Sequence, residues 1–303
     1  MYQCRREARS AFVPLRGLRY HVRLWGEPSE ERTPLVLLHG WMDVAASWQF
    51  VVDALRREHF IIAPDWRGFG LTEGPAADTY WFPDYLADLD FLLDHFVAER
   101  PVHLVGHSMG GTVSMLYAGA RPERIRRLVN LEGFGMPATR PSQAPGRYAR
   151  WMDELKALHR GAMDLQSYGD AEGVAQRLMK TNRRLDLDRA RWLARQWARP
   201  DAQGRWRILG DAGHKVTSAQ LFRVDEMLES YRRITPPVLW VEAGDDSLSR
   251  WWQDRFTLAE FHERLRCVPR LQTARVEDAG HMLHHDQPAR IAELCETFFS
   301  NGD

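Results

Sequence analysis

Ser108 stands in the run Gly106-His107-Ser108-Met109-Gly110, and this run is where chemistry is most legible. A serine hydroxyl is a poor nucleophile at neutral pH unless its placement exposes it and a nearby base takes its proton. The flanking residues supply the placement. The apolar residues before Gly106 read as a strand and those after Gly110 as a helix, with almost no spacer. The chain must therefore turn from strand to helix in one residue, with Ser108 at the strained apex. Side chains two positions either side would collide with such a turn, and both positions are glycine. Gly111 lets the helix pack close to the sheet. The N–H groups at the start of that helix face any negative charge that develops beside the serine.

A nucleophile of this kind needs a base, and the base needs an orienting carboxylate. His281, in Val-Glu-Asp-Ala-Gly-His, follows the last predicted strand and precedes the last predicted helix. It therefore falls on the same sheet edge as Ser108. His284 and His285 lie three and four residues further on and should point elsewhere. Three carboxylates also reach that edge: Asp245 and Asp246 after the run PVLWVEAG, and Glu132 after RRLVNLE. The chain order Ser, Asp, His favours Asp246, with Asp245 and then Glu132 as alternatives. The backbone N–H groups of Met109 and Trp41 are the expected donors to an oxyanion. His39 reads as a packing residue of its loop, and Asp65 and Arg67 as a salt-bridged brace.

The elements that position these residues follow from hydrophobic periodicity. Residues 18–25 alternate like a half-exposed strand near a sheet edge, while 35–38 and 60–63 are continuous apolar runs typical of strands buried on both faces. Helical spacing appears at Trp48, Val51, Val52 and Leu55 and again over 84–97. Further strands are expected at 125–131, 236–244 and 271–277, with helices near 254–265 and 288–299. Such alternation predicts an α/β fold: a mostly parallel central sheet with helices on both faces. The alternation breaks between 137 and 233, where helical patterns occur without a convincing buried strand. The expected organisation is a core of residues 1–136 and 234–303 interrupted by a helical cap.

Composition narrows the function classes. The 303 residues are 44% hydrophobic and 27% charged, as in an ordinary globular protein. Forty-one basic residues balance forty-one acidic ones, so no overall field draws the chain to nucleic acid or an anionic membrane. Cys4, Cys267 and Cys295 are too few and scattered for a disulfide framework and lack zinc spacing. No run approaches the length of a membrane span, and no signal core follows the charged start, so a cytoplasmic protein is expected. No cofactor or metal is called for.

His39-Gly40-Trp41, the DWRGFG of 65–70, the GHSMGG of 106–111, the GDD of 244–246 and the AGH of 279–281 together resemble the α/β-hydrolase superfamily, in its lidded serine esterase and serine-hydrolase-like branch. The resemblance implies the α/β-hydrolase fold with a cap inserted after the sixth strand. It also implies Ser108 as nucleophile, His281 as base and an acid after the seventh strand; some relatives place the acid after the sixth, which keeps Glu132 in play. The serine at the elbow argues against the branches that use aspartate there. The expected activity is hydrolysis of a small or medium, partly apolar carboxylic ester through an acyl-enzyme. A thioester, lactone, amide or C–C bond is the alternative within enzymes, and a non-catalytic ligand-binding protein the alternative outside them. Trp41, Trp151, Trp192 and Trp197 are candidate substrate-binding residues, although the cap tryptophans could equally anchor the cap to the core.

Overall fold

The computed structural model describes residues 2–300. Its strands are β1 (Arg9–Leu15), β2 (Leu18–Trp25), β3 (Leu35–Leu38), β4 (Ile61–Pro64), β5 (Val102–His107), β6 (Ile125–Leu131), β7 (Ser167–Tyr168), β8 (Ala198–Pro200), β9 (Trp206–Ile208), β10 (Val238–Ala243) and β11 (Leu271–Val276). Eight of them form one sheet in the order β1-β2-β4-β3-β5-β6-β10-β11. The pairs β1/β2 and β2/β4 are antiparallel and the rest of the sheet is parallel.

Strands β3 and β4 are buried along their whole length, and the apolar residues of the central strands feed two cores. Along β3, Val36 and Leu38 enter one apolar cluster while Leu35 and Leu37 enter the other. The same alternation divides Ile62 from Ile61, Leu104 from Val105, and Trp240 from Val241. A strand buried on both faces reads as a mostly apolar run, with polar positions only where a partner satisfies them. The strand expected near a sheet edge at 18–25 is second from that edge. It is covered by β1, which the sequence reading did not resolve because Pro14 interrupts its pattern. Proline is tolerated there because β1 is an edge strand. Arg16 and Gly17, both with positive φ, join β1 to β2 in a two-residue turn.

The helices are α1 (Gln49–Ala54), α2 (Pro83–Val97), α3 (Met109–Ala120), α4 (Ala144–His159), α5 (Ala171–Thr181), α6 (Leu187–Trp197), α7 (Val224–Arg232), α8 (Ser247–Trp252), α9 (Leu258–Leu265), α10 (Leu283–Asp286) and α11 (Pro288–Ser300). Apolar residues of α1 and α11 cover one face of the sheet, and those of α2, α3, α7 and α9 the other. No described helix is long and apolar enough to cross a membrane.

Between β6 and β10 the chain builds a smaller body. Val174, Ala175, Leu178, Ala190, Leu193 and Ala194 from α5 and α6 form a third apolar cluster. Beside them β7, β9 and β8 pair as a small antiparallel sheet, where the sequence reading expected helices alone. Strands of two or three residues are too short to carry a visible period. At the other end of this stretch α7 packs against the core: Met227 and Tyr231 join the main apolar cluster, and a Cβ at Gly119 would strike the Ser230 carbonyl.

Phe50, on α1, is buried within the third apolar cluster, edge-on to Tyr2 and beneath the Arg189 guanidinium. Phe50→Ala is expected to cost about 3 to 5 kcal/mol. Hydrogen exchange should accelerate over residues 171–198 and stay near its parent rate in the central strands. An equal acceleration in both would contradict this seating of the cap.

Candidate active site

β5 ends at His107 and α3 begins at Met109, leaving Ser108 alone at the corner with φ 53° and ψ −116°. A residue with a Cβ adopts this region only when its surroundings force it. Here the forcing is visible on both sides. The Ser108 N–H donates to the Leu131 carbonyl at 2.8 Å, and the Thr112 N–H returns to the Ser108 carbonyl at 3.0 Å. A Cβ on Gly106 would meet the Gly110 carbonyl, and one on Gly110 would meet the Leu38 carbonyl. The glycine requirement read from the sequence is thus a requirement for backbone to touch backbone.

Met109 opens α3, so its N–H has no partner within the helix. Gly40 lies so close to the elbow that a Cβ on it would come 3.1 Å from the Ser108 Cβ. This brings the 40–41 segment beside the serine. The Trp41 side chain is 52% exposed. His39 braces the same loop, as expected. Its Nε2 accepts the Trp66 N–H at 2.9 Å, and its Nδ1 donates to the Gly40 carbonyl at 2.7 Å. Asp65 and Arg67 are braces too, though with other partners than each other. Asp65 faces His21 at 2.7 Å, and Arg67 grips the fully buried Asp88 with bonds of 2.6 and 2.7 Å.

His281 follows β11, and its loop is bonded directly to the elbow. The His107 Nε2–H donates to the His281 carbonyl at 2.7 Å, and the two rings lie 4.7 Å apart. The carboxylate that faces His281 is Glu132, the alternative ranked last. Its Oε2 is 3.4 Å from His281 Nδ1, the long end of hydrogen-bonding distance. Glu132 also has a positive φ, 56°, immediately after β6. Asn130 holds this turn by bonding Gly133 through both ends of its side-chain amide. The buried carboxylate then accepts the Ala243 N–H at Oε1 and the Ser247 hydroxyl at Oε2, both at 2.8 Å.

The two favoured aspartates are occupied elsewhere. Asp246 is exposed and caps α8 through the Ser249 N–H at 2.9 Å. Asp245 forms a forked ion pair with Arg184 of the cap, at 2.8 and 3.2 Å. Ser247 is a site residue that sequence reasoning missed. A serine immediately after a carboxylate pair reads as a helix start, which it also is. His284 and His285 are buried behind the site, with His284 packed against His107.

Trp251, which drew no notice in the sequence, stands edge-on to His281 with ring centroids 4.2 Å apart and is 53% exposed. The cap tryptophans behave as anchors. Trp192 packs on Tyr2 and Phe50, Trp197 donates to Ser47 at 3.3 Å, and Trp151 donates to Thr79 at 3.2 Å.

Comparison with known proteins identifies the family and the fold. Residues 33–288 match the family model described as alpha/beta hydrolase fold. A stretch of 106 residues is 39% identical to 2-hydroxy-6-oxo-2,4-heptadienoate hydrolase of Pseudomonas putida, covering 34% of this chain and 38% of that protein. An AB hydrolase superfamily protein of Bacillus subtilis is 25% identical over 96% of this chain and 97% of its own. Among solved structures, a hypothetical protein of Pseudomonas aeruginosa superposes with a TM-score of 0.80 at 26% identity, covering 96% of this chain and 98% of that one. The thioesterase domain from a curacin biosynthetic pathway shares the fold, with a TM-score of 0.82 at 23% identity and coverage of 96% and 99%.

Burial holds the imidazoles around the site neutral. His107 and His281 are lowered to about 3 and His214 to about 4, and His284 and His285 are lowered as well. An unfolded chain takes up protons at these positions below about pH 6.5, where the folded chain does not. Stability should therefore fall as pH drops from 6.5 toward 4. Glu132, raised to about 7 by burial, acts in the opposite direction between roughly 4.5 and 7, as one group against five. Urea midpoints should decrease from pH 7.5 to pH 5; a flat or rising midpoint would contradict the balance.

Proposed function

The chain belongs to the alpha/beta hydrolase fold family, and on that premise we propose that it is a serine hydrolase with Ser108 as nucleophile, His281 as general base and Glu132 as the orienting acid. One observation carries the reading. The loop of His281 is bonded to the serine elbow while the ring's Nδ1 faces a buried glutamate. With Nδ1–H directed at Glu132, Nε2 keeps its lone pair for the Ser108 proton. Ser108 Oγ attacks the acyl carbon, and the Met109 and Trp41 N–H groups receive the oxyanion. His281 passes the proton to the leaving group, then takes one from water, whose oxygen releases the acyl group from Ser108. Glu132 steadies the imidazolium in both halves. Ser247 and the Ala243 N–H hold that carboxylate in place.

Exposed Trp41 and Trp251 flank the serine and the histidine, which favours an acyl or alcohol portion with apolar or aromatic character. We infer a carboxylic ester as the substrate class. The same apparatus serves other acyl bonds, and the name of the Pseudomonas putida relative supports a hydrolase of an oxo-dienoate as the second reading.

A fluorophosphonate probe should label the parent protein and fail to label Ser108→Ala. Ser108→Ala and His281→Ala should each lower turnover of short acyl p-nitrophenyl esters by several orders of magnitude. Glu132→Gln should lower kcat by about 10⁴-fold, as loss of an orienting acid does elsewhere, while Asp246→Asn stays near the parent rate. The opposite ranking would return the role to Asp246. Burial and the nearby Asp246 and Asp245 charges raise Glu132 to about 7, so kcat/KM should rise with pH through that region. The Ser247 hydroxyl favours the charged carboxylate, so Ser247→Ala should shift that limb to higher pH.

A further inference from the structure

Behind the proposed triad lies a second group of polar side chains that the hydrolase reading does not use. Asp43, His107 and His284 are all buried, and one ligand atom from each falls within 4.8 Å of the others. Each side chain is oriented by a bond on its far side or by close packing. Asp43 Oδ1 accepts the Val44 N–H at 2.8 Å and the Ser47 hydroxyl, which leaves Oδ2 with no partner. His107 Nε2 carries a proton, because it donates to the His281 carbonyl; its Nδ1 is therefore a lone pair, buried and unpartnered. That nitrogen faces the 40–43 segment, since a Cβ on Gly40 would come within 3.0 Å of it. His284 is packed against Trp48, His107 and His285, and its Nε2 lies 3.8 Å from Asp43 Oδ2.

An imidazole that gives its other N–H to a backbone carbonyl, and a carboxylate fixed through one oxygen, are how proteins aim ligands at a metal. A water molecule would satisfy the three atoms as hydrogen-bond partners but would leave the buried carboxylate charge uncompensated. Among the described residues, His284 is the one side chain of possible positive charge within ion-pair distance of Asp43. Two nitrogens and one carboxylate oxygen form a ligand set for a borderline dication, with a water in the fourth position. Bonds of about 2.0 Å would need the ligand atoms to close by roughly an ångström.

We propose that Asp43 Oδ2, His107 Nδ1 and His284 Nε2 bind one divalent transition-metal ion of the zinc class. Its ligands come from the proposed oxyanion loop, the residue before Ser108 and the helix α10 that follows His281, so the ion ties together the three segments that assemble the site. The site binds metal whether or not the hydrolase reading holds, and the test reads binding and stability before activity.

The whole chain, stripped with a chelator, is offered Zn²⁺ or Co²⁺ both when native and during refolding from urea. One ion per chain should survive dialysis, Co²⁺ should give the intense visible absorption of a tetrahedral site, and Zn²⁺ should raise Tm. Asp43→Asn and His284→Leu should each lose the ion and the Tm response, while His281→Ala and Glu132→Gln keep both. Retention of less than a tenth of an ion by the parent protein would overturn the proposal, and so would uptake that persists in His284→Leu or disappears in His281→Ala. Should both ligand variants fail to fold, the parent protein's stoichiometry and Co²⁺ spectrum still decide.

Discussion

The parallel register of three neighbouring strands is the constraint on which the site depends. His107 of β5 pairs with Leu131 of β6, and Leu131 pairs in turn with Val241 of β10. The next residue on each of the first two strands is therefore at the same level, and these residues are Ser108 and Glu132. Both take a positive φ, so both leave their strands by a sharp corner at one edge. The corners support each other, since the Ser108 N–H is bonded to Leu131 and a Cβ on Gly111 would strike the Asn130 amide that holds the Glu132 turn. A slip of one residue in either pairing would turn one of the two side chains to the opposite face of the sheet. Ser108 and Glu132 are thus positioned by backbone hydrogen bonds of the sheet, and His281 is brought to them by a loop.

Much of the interior near this edge is polar, and its cost is met by pairing. Asp88, with no exposure, is gripped by Arg67 and Arg16 and accepts the Tyr20 hydroxyl at 3.0 Å. Asp65 accepts the Ala45 N–H at 2.7 Å and the Leu71 N–H at 2.8 Å besides facing His21, and these bonds keep its carboxyl below the ordinary range despite burial. A buried charge with one partner removed is expensive, so such networks make the loops that carry them rigid. The loop of 65–70 is one of these, and the 39–45 segment beside the serine is tied to it through His39 and Ala45. Glu132 differs from both. It has two fixed donors and no cation, and burial raises its carboxyl to about 7.

What the sequence disclosed and what it hid divide along the same physical line. The α/β architecture, the serine corner and the histidine depend on local pattern: continuous apolar runs, glycines at fixed offsets, and a place at a strand end. Those are visible in a single chain. The identity of the facing carboxylate depends on where a side chain points after a left-handed residue, which Asn130, Gly133 and the β6–β10 pairing decide together. None of that is written within a few residues of Glu132. Asp246 had the expected place in chain order, but beginning a helix turns its oxygens toward the Ser249 N–H. β1 was hidden by Pro14, and the cap strands by their brevity. The brace role of His39 was legible, whereas the true partners of Asp65 and Arg67 lie on β2 and α2, far away in sequence.

The cap's attachment follows from the rigidity of the 65–70 loop. Its antiparallel bridge joins Phe69 to Gly210, the Gly70 N–H donates to Leu209 at 2.9 Å, and the Asp211 N–H donates to Gly68 at 2.9 Å. His214 is then stacked between Phe69 and Tyr80, with ring centroids 3.8 and 3.6 Å away, and Tyr80 donates to Asp211. These are backbone and aromatic contacts among half-buried residues around the buried Phe69, and they join residues 209–214 firmly to the core. The Arg184–Asp245 pair on another side is about two-fifths exposed, so it adds at most about 1 kcal/mol. Helix α4 buries no residue at all. Local opening draws on the segments with the least buried apolar surface. Between β6 and β10 the helix with the least buried surface to hold it is therefore α4.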